Sequence, residues 1–356
     1  MVWKRALLGS AAVLAAAFLL ASSASAGLRE AKKEGEVFWY SSLTLKISQE
    51  ICNLFNSKKV GVKCKLHRSG SSKLYKRYRR EARGKIFKAD VLHTSNIGQF
   101  IIMHDKLKFI SKYKAKGTGK FLSKFRDPDN RWFILRASVM VPVYNPKFVK
   151  PEDVPKSYLD VLKPKWKNKL VVADPNYGGF ATITMIALVN LYGLDYYEKL
   201  IKNNPRRYGS AAGTLTLVAR GESHLTTGAV AYSAFNHIKK GEPLKMAVPK
   251  EGVPFVRSPT SVLKKAPHPA AARYFMDFLA SQEVQQVLAN RGLYVGHPGV
   301  KYPAAQTALS SLKLIEIPPA EISKRSKAMR KAFRKIFSGI KLEGKKKKKK
   351  KKKKQI

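Results

Sequence analysis

Apolar and polar residues alternate between positions 60 and 66, and this period of two predicts a half-buried β-strand. Apolar residues then recur at helical spacing from 74 to 82. The connection at 69–72 reads SGSS, so a strand leads through a polar loop into a helix N-terminus. Because the first N–H groups of a helix lack intrahelical partners, Ser71 and Ser72 are candidates for binding an anionic or oxygen-rich ligand. The alternative is that one of these serines only caps the helix.

Two neighbouring segments repeat this arrangement. Residues 36–40 and 89–92 are predicted strands, and each is followed by a short polar loop. The hydroxyl groups in these loops belong to Ser41, Ser42, Thr94 and Ser95. Ligands of open α/β sheets bind outside the carboxyl ends of the strands, so three such loops in succession predict one wall of a binding site.

The second half of the chain contains a comparable unit. A predicted buried strand at 170–173 leads through the turn DPNYGG into an apolar helix from 180 to 191. This unit indicates a second pocket of phosphate or carboxylate size, facing the first. A further short strand is predicted at 228–232. The candidate ligand contacts in these two segments are Asp174, Tyr177, Gly178, Gly179, Tyr232 and Ser233.

Two long extended stretches, 131–144 and 244–256, are predicted to cross between two lobes. About 330 residues without the leader are too many for one ordinary core, which favours two lobes. We expect lobe 1 to comprise 27–137 together with 251–340, and lobe 2 to comprise 138–250. The expected class is therefore α/β with a ligand cleft between the lobes.

Three further helices are predicted outside these units. One covers 153–162, and a long amphipathic helix covers 269–290. A basic helix covers 321–337, and packing on lobe 1 is favoured for it over a role at a membrane surface.

Cys52 and Cys64 are the only cysteines. An exported protein could oxidise them to a disulfide. Two buried free thiols are favoured, since the sequence does not show that the two α carbons approach closely enough.

The first 26 residues combine two basic residues, an apolar run and a small-residue motif that ends at Ala26. This pattern predicts a cleaved signal peptide. Gly27 follows instead of a cysteine, so we expect a periplasmic protein that carries no lipid anchor. At the other end, 341–356 contains ten consecutive lysines and is predicted to be a disordered tail.

The formal net charge is +47. A surface this basic attracts polyanions without selectivity. The excess lysines are spread over the chain and lack the interleaved aromatic residues of single-strand binders, so no specific nucleic-acid partner is expected.

Motifs for covalent or metal-dependent catalysis are absent from the sequence. It contains no G-x-S-x-G, H-E-x-x-H or C-x-x-C, and its histidines are scattered. We therefore expect a protein that binds a solute without transforming it, needs no cofactor and is not an enzyme.

Several segments resemble the extracellular solute-binding proteins of ABC importers, in the branch usually labelled iron(III)-type. They include EGEVFWYSSLT, RSGSSKLY, KADVLHTSN, VMVPVYNP, DPNYGGFAT and GAVAYSAFNHIKKGEP. The resemblance implies a type II periplasmic-binding-protein fold, in which two Rossmann-like lobes joined by two crossing strands close on a ligand. It also implies a monomeric receptor that delivers a small molecule to a membrane permease.

Ferric members of that family resemble one another in placing two consecutive tyrosines where this chain has Tyr232 and Ser233. Among the candidate contacts, only Tyr232 and Tyr177 could supply phenolate ligands for iron(III), a hard ion that prefers oxygen donors. We therefore favour a small organic or phosphorus-containing anion as the solute. Ferric iron held with a second anion is the alternative, and an enzyme on the same fold or a secreted polyanion-binding protein ranks lower.

Overall fold

A computed structural model of the chain describes residues 27–343. The predicted signal peptide and the polylysine run lie outside the described residues. Within 27–343, none of the helices has the length and apolar character needed to cross a membrane.

Lobe 1 begins with a parallel sheet whose central strand is the first in the chain. Its elements are helix α1 (27–34), strand β1 (Glu36–Ser41), helix α2 (Leu45–Ser57), strand β2 (Lys63–Arg68), helix α3 (Ser71–Arg83), strand β3 (Val91–His93) and helix α4 (Ile97–Ile101). Strand β1 pairs with β2 on one side and with β3 on the other, parallel to both. Because all three strands point the same way, their carboxyl ends lie at one edge of the sheet.

Strand β4 (Phe133–Tyr144) leads into lobe 2, which has a parallel sheet of its own. The elements of lobe 2 are strand β5 (Leu170–Ala173), helix α5 (Gly179–Tyr192), helix α6 (Asp195–Leu200), strand β6 (Arg206–Tyr208), helix α7 (Thr214–Ala219), strand β7 (Leu225–Val230), helix α8 (Ala231–Ile238) and strand β8 (Lys245–Met246). Strand β5 lies between β6 and β7 and is parallel to both.

The two sheets are joined by β4 and by strand β9 (Val253–Val262), which pair with each other in antiparallel fashion. Strand β4 also pairs with β7 of lobe 2, and β9 pairs with β3 of lobe 1. The first crossing was predicted at 131–144 and is confirmed. The return crossing was predicted at 244–256 but begins only at Val253, after the short β8 has paired along β4.

The chain then returns to lobe 1 and ends in a long helix. The remaining elements are helix α9 (Pro269–Ala280), helix α10 (Gln282–Asn290), strand β10 (Leu314–Ile315), helix α11 (Pro319–Ile336) and strand β11 (Leu342–Glu343). The single helix predicted at 269–290 is wrong, because Ser281 has an extended backbone (ψ 151°) and its side chain accepts a hydrogen bond from the Val284 N–H as the cap of α10.

Two other local predictions differ from the structure. The helix predicted at 153–162 is instead two short 3₁₀ turns, Pro151–Asp153 and Tyr158–Leu162. Pro155 explains the break, since the residue before a proline avoids the helical conformation and Val154 is extended. The strand predicted at 228–232 ends at Val230, so Tyr232 and Ser233 lie in the first turn of α8.

Cys52 and Cys64 form a disulfide, so the preference for free thiols is wrong. Helix α2 packs against β2 and places the two α carbons 5.4 Å apart, which is within the range that a disulfide spans. This approach depends on the packing of a helix on a strand, which spacing along the chain does not reveal.

Helix α11 packs on α4 of lobe 1 and also on α5 of lobe 2. Its packing on lobe 1 was predicted, and its contact with lobe 2 was not. Strand β11 continues from it and pairs with β6 of lobe 2. The disordered tail predicted from residue 341 is wrong for Leu342 and Glu343, which belong to this strand.

Candidate functional site

The three polar loops of lobe 1 meet at the carboxyl edge of its sheet. The Ser42 N–H donates to the His93 carbonyl (3.1 Å), and the Ser69 N–H donates to the Ser41 carbonyl (3.2 Å). The loop after β1 thus contacts the loops after β2 and β3, as the parallel order of the strands requires.

Ser71 connects the N-terminus of α3 to the loop after β3. Its Oγ lies 2.8 Å from Ser95 Oγ and accepts a hydrogen bond from the Ser95 N–H at 3.0 Å. The side chain of Ser72 has a different neighbour, because its Oγ accepts from Arg330 Nη1 of α11 at 3.5 Å. The two serines that sequence reasoning treated as a pair therefore contact different parts of the molecule.

The hydroxyl groups after β1 and β3 differ in how far they are already hydrogen-bonded. Ser41 Oγ accepts from the Leu43 N–H (3.2 Å), and Thr94 Oγ1 accepts from the Asn96 N–H (3.3 Å). The Oγ of Ser42 is buried and has no partner among the described residues. Of these three hydroxyls, Ser42 is the one left free for a ligand.

In lobe 2, the Asp174 carboxylate is bound to a guanidinium group. Arg207 donates to its Oδ2 through Nε (3.0 Å) and Nη2 (2.7 Å), and the Asn176 N–H donates to its Oδ1 (2.8 Å). Asp174 therefore holds its own turn and Arg207 in place. The aromatic ring of Tyr177 lies against Gly209, where an added Cβ would be 3.9 Å from its Cγ.

The two lobes touch where the loop after β3 meets the start of α5. An added Cβ on Gly179 would lie 2.3 Å from the Ser95 carbonyl oxygen, whereas one on Gly178 would meet nothing within 4 Å. A Cβ on Gly70 would lie 3.5 Å from the Tyr177 carbonyl oxygen. The structure therefore has the lobes in close contact along this seam.

Arg136 lies on the crossing strand β4 and was missed by sequence reasoning. Its side chain is fully buried, and its Nε, Nη1 and Nη2 have no hydrogen-bond partner among the described residues. The guanidinium carbon lies 5.1 Å from the ring centroid of Phe180 and 5.5 Å from that of Tyr232, both at the beginning of helices in lobe 2. One charged residue inside the apolar run FILRASVMV was the available signal, since a buried arginine normally has a partner.

Two more buried polar groups near Arg136 lack partners. Ser258 is directly opposite Arg136 in the pairing of β4 with β9, and its Oγ makes no hydrogen bond among the described residues. Nε2 of His93 is also unpartnered, while its Nδ1 lies 3.4 Å from Ser41 Oγ. Complete burial and the charge of Arg136 lower the pKa of His93 well below its usual range, so the imidazole is neutral near pH 7.

The site as a whole is cationic and rich in unpaired hydrogen-bond donors. Burial lowers the pKa of Arg136, but a guanidinium remains protonated in proteins. A buried unpaired charge is costly, and the cost falls when a ligand of opposite charge supplies the missing acceptors. The arrangement can thus bind an anion and hold it between the lobes.

The ferric alternative required Tyr232 and Tyr177 to act together. The ring of Tyr232 faces Arg136, whereas the ring of Tyr177 faces Gly209. Within residues 27–343, no group of three or more His, Cys, Asp or Glu side chains is placed to hold a metal ion.

Two α/β lobes, a pair of antiparallel crossing strands and polar strand-end loops on both sides of the seam define a solute-binding protein that closes on its ligand. The family model described as bacterial extracellular solute-binding protein matches residues 88–313. The chain therefore belongs to this family.

Individual relatives agree with this assignment. The Fe(3+)-binding periplasmic protein of Serratia marcescens is 26% identical over 323 residues, which cover 88% of this chain and 92% of that protein. The structure of AfuA from Actinobacillus pleuropneumoniae with fructose-6-phosphate bound aligns with a TM-score of 0.78 at 22% identity, over 85% of this chain and 99% of that chain. Iron-bound HitA from Pseudomonas aeruginosa aligns with a TM-score of 0.74 at 21% identity, over 85% and 99% respectively. The two structures confirm the type II periplasmic-binding-protein fold.

Proposed function

We propose that this protein is a periplasmic receptor that captures a small organic or phosphorus-containing anion and delivers it to the permease of an ABC importer. The observation that carries the proposal is the fully buried guanidinium of Arg136, which has no partner among the described residues. A carboxylate or phosphate group matches the planar donor geometry of a guanidinium and can bind it through two parallel hydrogen bonds.

The position of Arg136 links anion binding to closure of the lobes. Arg136 lies on a crossing strand, Tyr232 and Phe180 approach it from lobe 2, and His93 lies at the end of a strand of lobe 1. An anion at Arg136 would contact groups from both lobes, so it would stabilise the closed arrangement over the open one. We further propose that the hydroxyl of Ser42 and the backbone at Gly178 and Gly179 complete the binding site.

Ferric iron held with a second anion is the other candidate, because the Serratia relative is described as Fe(3+)-binding and HitA was solved with iron. A guanidinium 5.5 Å from the ring of Tyr232 repels a bare trivalent cation at that phenol. AfuA, which shares the fold, was solved with a sugar phosphate, and this ligand class suits a buried arginine. These observations favour the anion.

Replacement of Arg136 by Gln tests the proposal. The protein would be titrated calorimetrically with fructose 6-phosphate, inorganic phosphate, citrate and ferric citrate. For the anion that binds the wild type, the Arg136→Gln variant should lose about 1.5 to 3 kcal/mol, or roughly tenfold to more than a hundredfold in affinity. Tyr232→Phe should lose less.

Arg83 at the end of α3 is exposed. Arg83→Gln is the control for Arg136→Gln, because it also replaces one arginine by glutamine and removes one positive charge. Equal effects of the two variants would contradict a specific role for Arg136. A visible tyrosinate-to-iron band that disappears in Tyr232→Phe, together with wild-type affinity in Arg136→Gln, would favour iron.

The remaining expectations from the sequence are also proposed. The chain is exported, is cleaved after Ala26, has no lipid anchor and acts as a monomer without enzymatic activity or a specific nucleic-acid partner. Support comes from the leader pattern at 1–26 and the absence of catalytic motifs from the sequence. Intact-mass analysis of protein from the periplasm should give a chain that starts at Gly27, and a retained leader or an added lipid mass would contradict this.

A further inference from the structure

Two arginines between residues 27 and 343 are at least partly buried and have no carboxylate within 4.0 Å. They are Arg136 and Arg330. The other arginines in that part of the chain are either exposed or paired with an acid, as Arg207 is with Asp174 and Arg325 with Glu321. Arg136 belongs to the candidate site in the cleft. Arg330 lies outside that site, so its lack of an acidic partner needs a separate explanation.

Arg330 lines a cavity of about 150 Å³ between α3, α4 and α11. Two further cationic side chains, Lys76 and Arg79, line the same cavity, and no Asp or Glu does. Since a water occupies about 30 Å³ in the liquid, the space suits a tetrahedral oxyanion together with a few waters. The hydroxyl groups on its wall include those of Ser72 and Ser323.

Hydrogen bonds to the described residues involve only part of the Arg330 guanidinium. Nε donates to the Ser326 carbonyl of its own helix at 2.9 Å, and Nη1 makes a long contact of 3.5 Å with Ser72 Oγ. Nη2 has no acceptor among the described residues. Burial, and then the neighbouring charge of Arg334, lower the pKa of Arg330.

We propose that this cavity is a second anion site, distinct from the cleft, that binds an oxyanion of phosphate or sulfate size. Arg330 binds the anion from α11, and Lys76 and Arg79 bind it from α3. An anion there links α3 of lobe 1 to a helix that also packs on lobe 2. One turn further along α11, Arg334 donates to Asn176 Oδ1 of lobe 2 at 2.5 Å.

The test uses the full mature protein in a chloride buffer, with inorganic phosphate and sulfate as probes. The Arg136→Gln background removes the proposed cleft site, so this inference holds or fails whether or not the cleft binds an anion. In the Arg136→Gln protein, calorimetry should show one saturable binding site for phosphate. Adding Arg330→Gln should weaken it at least tenfold, and Lys76→Gln with Arg79→Gln, which alters only exposed side chains, should weaken it several-fold.

Arg334→Gln is the matched control, because it removes one charge from an exposed position of the same helix. Its effect should stay below threefold. Absence of saturable phosphate binding in the Arg136→Gln protein would overturn the proposal. Equal losses from Arg330→Gln and Arg334→Gln would also overturn it, since they would indicate diffuse attraction to a basic surface.

Discussion

Gly179 at the start of α5 lies directly against the backbone of Ser95, on the other side of the seam between the lobes. An added Cβ would fall 2.3 Å from the Ser95 carbonyl oxygen and 3.0 Å from the Asn96 Cβ. Real Cβ atoms do not approach other atoms this closely, and a carbonyl oxygen on the main chain cannot move aside as a flexible side chain can. The closed arrangement therefore depends on glycine at this position.

Gly179→Ala should oppose closure. We expect ligand affinity to fall at least tenfold, because closure would require the two backbones to separate. Small-angle scattering should show that saturating ligand no longer reduces the radius of gyration as it does in the wild type. Gly119→Ala is the control, since it lies outside the proposed binding site and its added methyl group meets nothing within 4 Å. Normal closure of Gly179→Ala would mean that the ligand-bound protein does not form this contact.

His93 should make stability depend on pH. The unfolded state binds a proton with a pKa of about 6.5, whereas burial and the charge of Arg136 hold the pKa of His93 well below that in the folded state. Below about pH 6.5 the unfolded state therefore binds the extra proton, and stability falls by up to about 1.4 kcal/mol per pH unit from this group. The contribution is fully present above that pH.

Urea unfolding of the wild type and of His93→Gln at pH 7.5, 6.5 and 5.5 measures this effect. The stability of the wild type should fall more steeply with decreasing pH than that of the variant. His297→Gln, at a ring that packs beside Phe121, should retain the wild-type slope. Parallel curves of stability against pH for the wild type and His93→Gln would show that His93 has the same protonation in the folded and unfolded states.

The strand-end loops could be predicted from the sequence because they follow from the period of the pattern. Alternation over a few residues locates a strand, and the polar residues after it lie at the carboxyl edge of a parallel sheet, as Ser42 and Ser95 do. Arg136 could not be placed in this way. The period of its strand indicates burial but does not say whether a buried charge has a partner, which depends on side chains from both lobes.

The other differences between the predicted and the observed structure also depend on contacts that the sequence pattern does not show. The turn at Ser281 interrupts two helices that both bury apolar faces, so the apolar spacing alone did not separate them. The contact of α11 with lobe 2 depends on Phe333 and Phe337, which stack on each other with ring centroids 4.1 Å apart. Phe333 also packs on Tyr197 at 6.0 Å. The sequence shows these aromatic residues but not which lobe they contact.

Loss of the disulfide should reduce stability without affecting the cleft. Cys52 and Cys64 close a loop of 12 residues in lobe 1. We expect Cys52→Ala with Cys64→Ala to lower the free energy of unfolding by about 2 to 4 kcal/mol, chiefly because the unfolded chain gains freedom. Denaturant unfolding with and without a reducing agent measures this. The reductant should destabilise the wild type and leave the double variant unchanged, and equal responses would show that the bond is not formed in solution.

Gly98 in α4 determines how closely α11 approaches lobe 1. An added Cβ would lie 2.7 Å from the Ser323 nitrogen and 2.9 Å from the Ile322 Cγ2. Gly to Ala inside a helix ordinarily stabilises it by about 1 kcal/mol. Overpacking against a neighbouring helix typically costs about 1 to 3 kcal/mol, and here the main chain of α11 would have to shift. We therefore expect Gly98→Ala to lower the stability of the protein.

Urea unfolding should give Gly98→Ala a free energy of unfolding below that of the wild type. Amide exchange in α11 should be faster, because the helix loses its close contact with α4. Gly119→Ala, where an added methyl group meets nothing within 4 Å, should not reduce stability. The sign of the change in the free energy of unfolding distinguishes two effects. Local helix propensity alone makes Gly98→Ala more stable, and only close packing of α11 on α4 makes it less stable. A stabilised Gly98→Ala would therefore show that α11 does not rest on lobe 1 in solution.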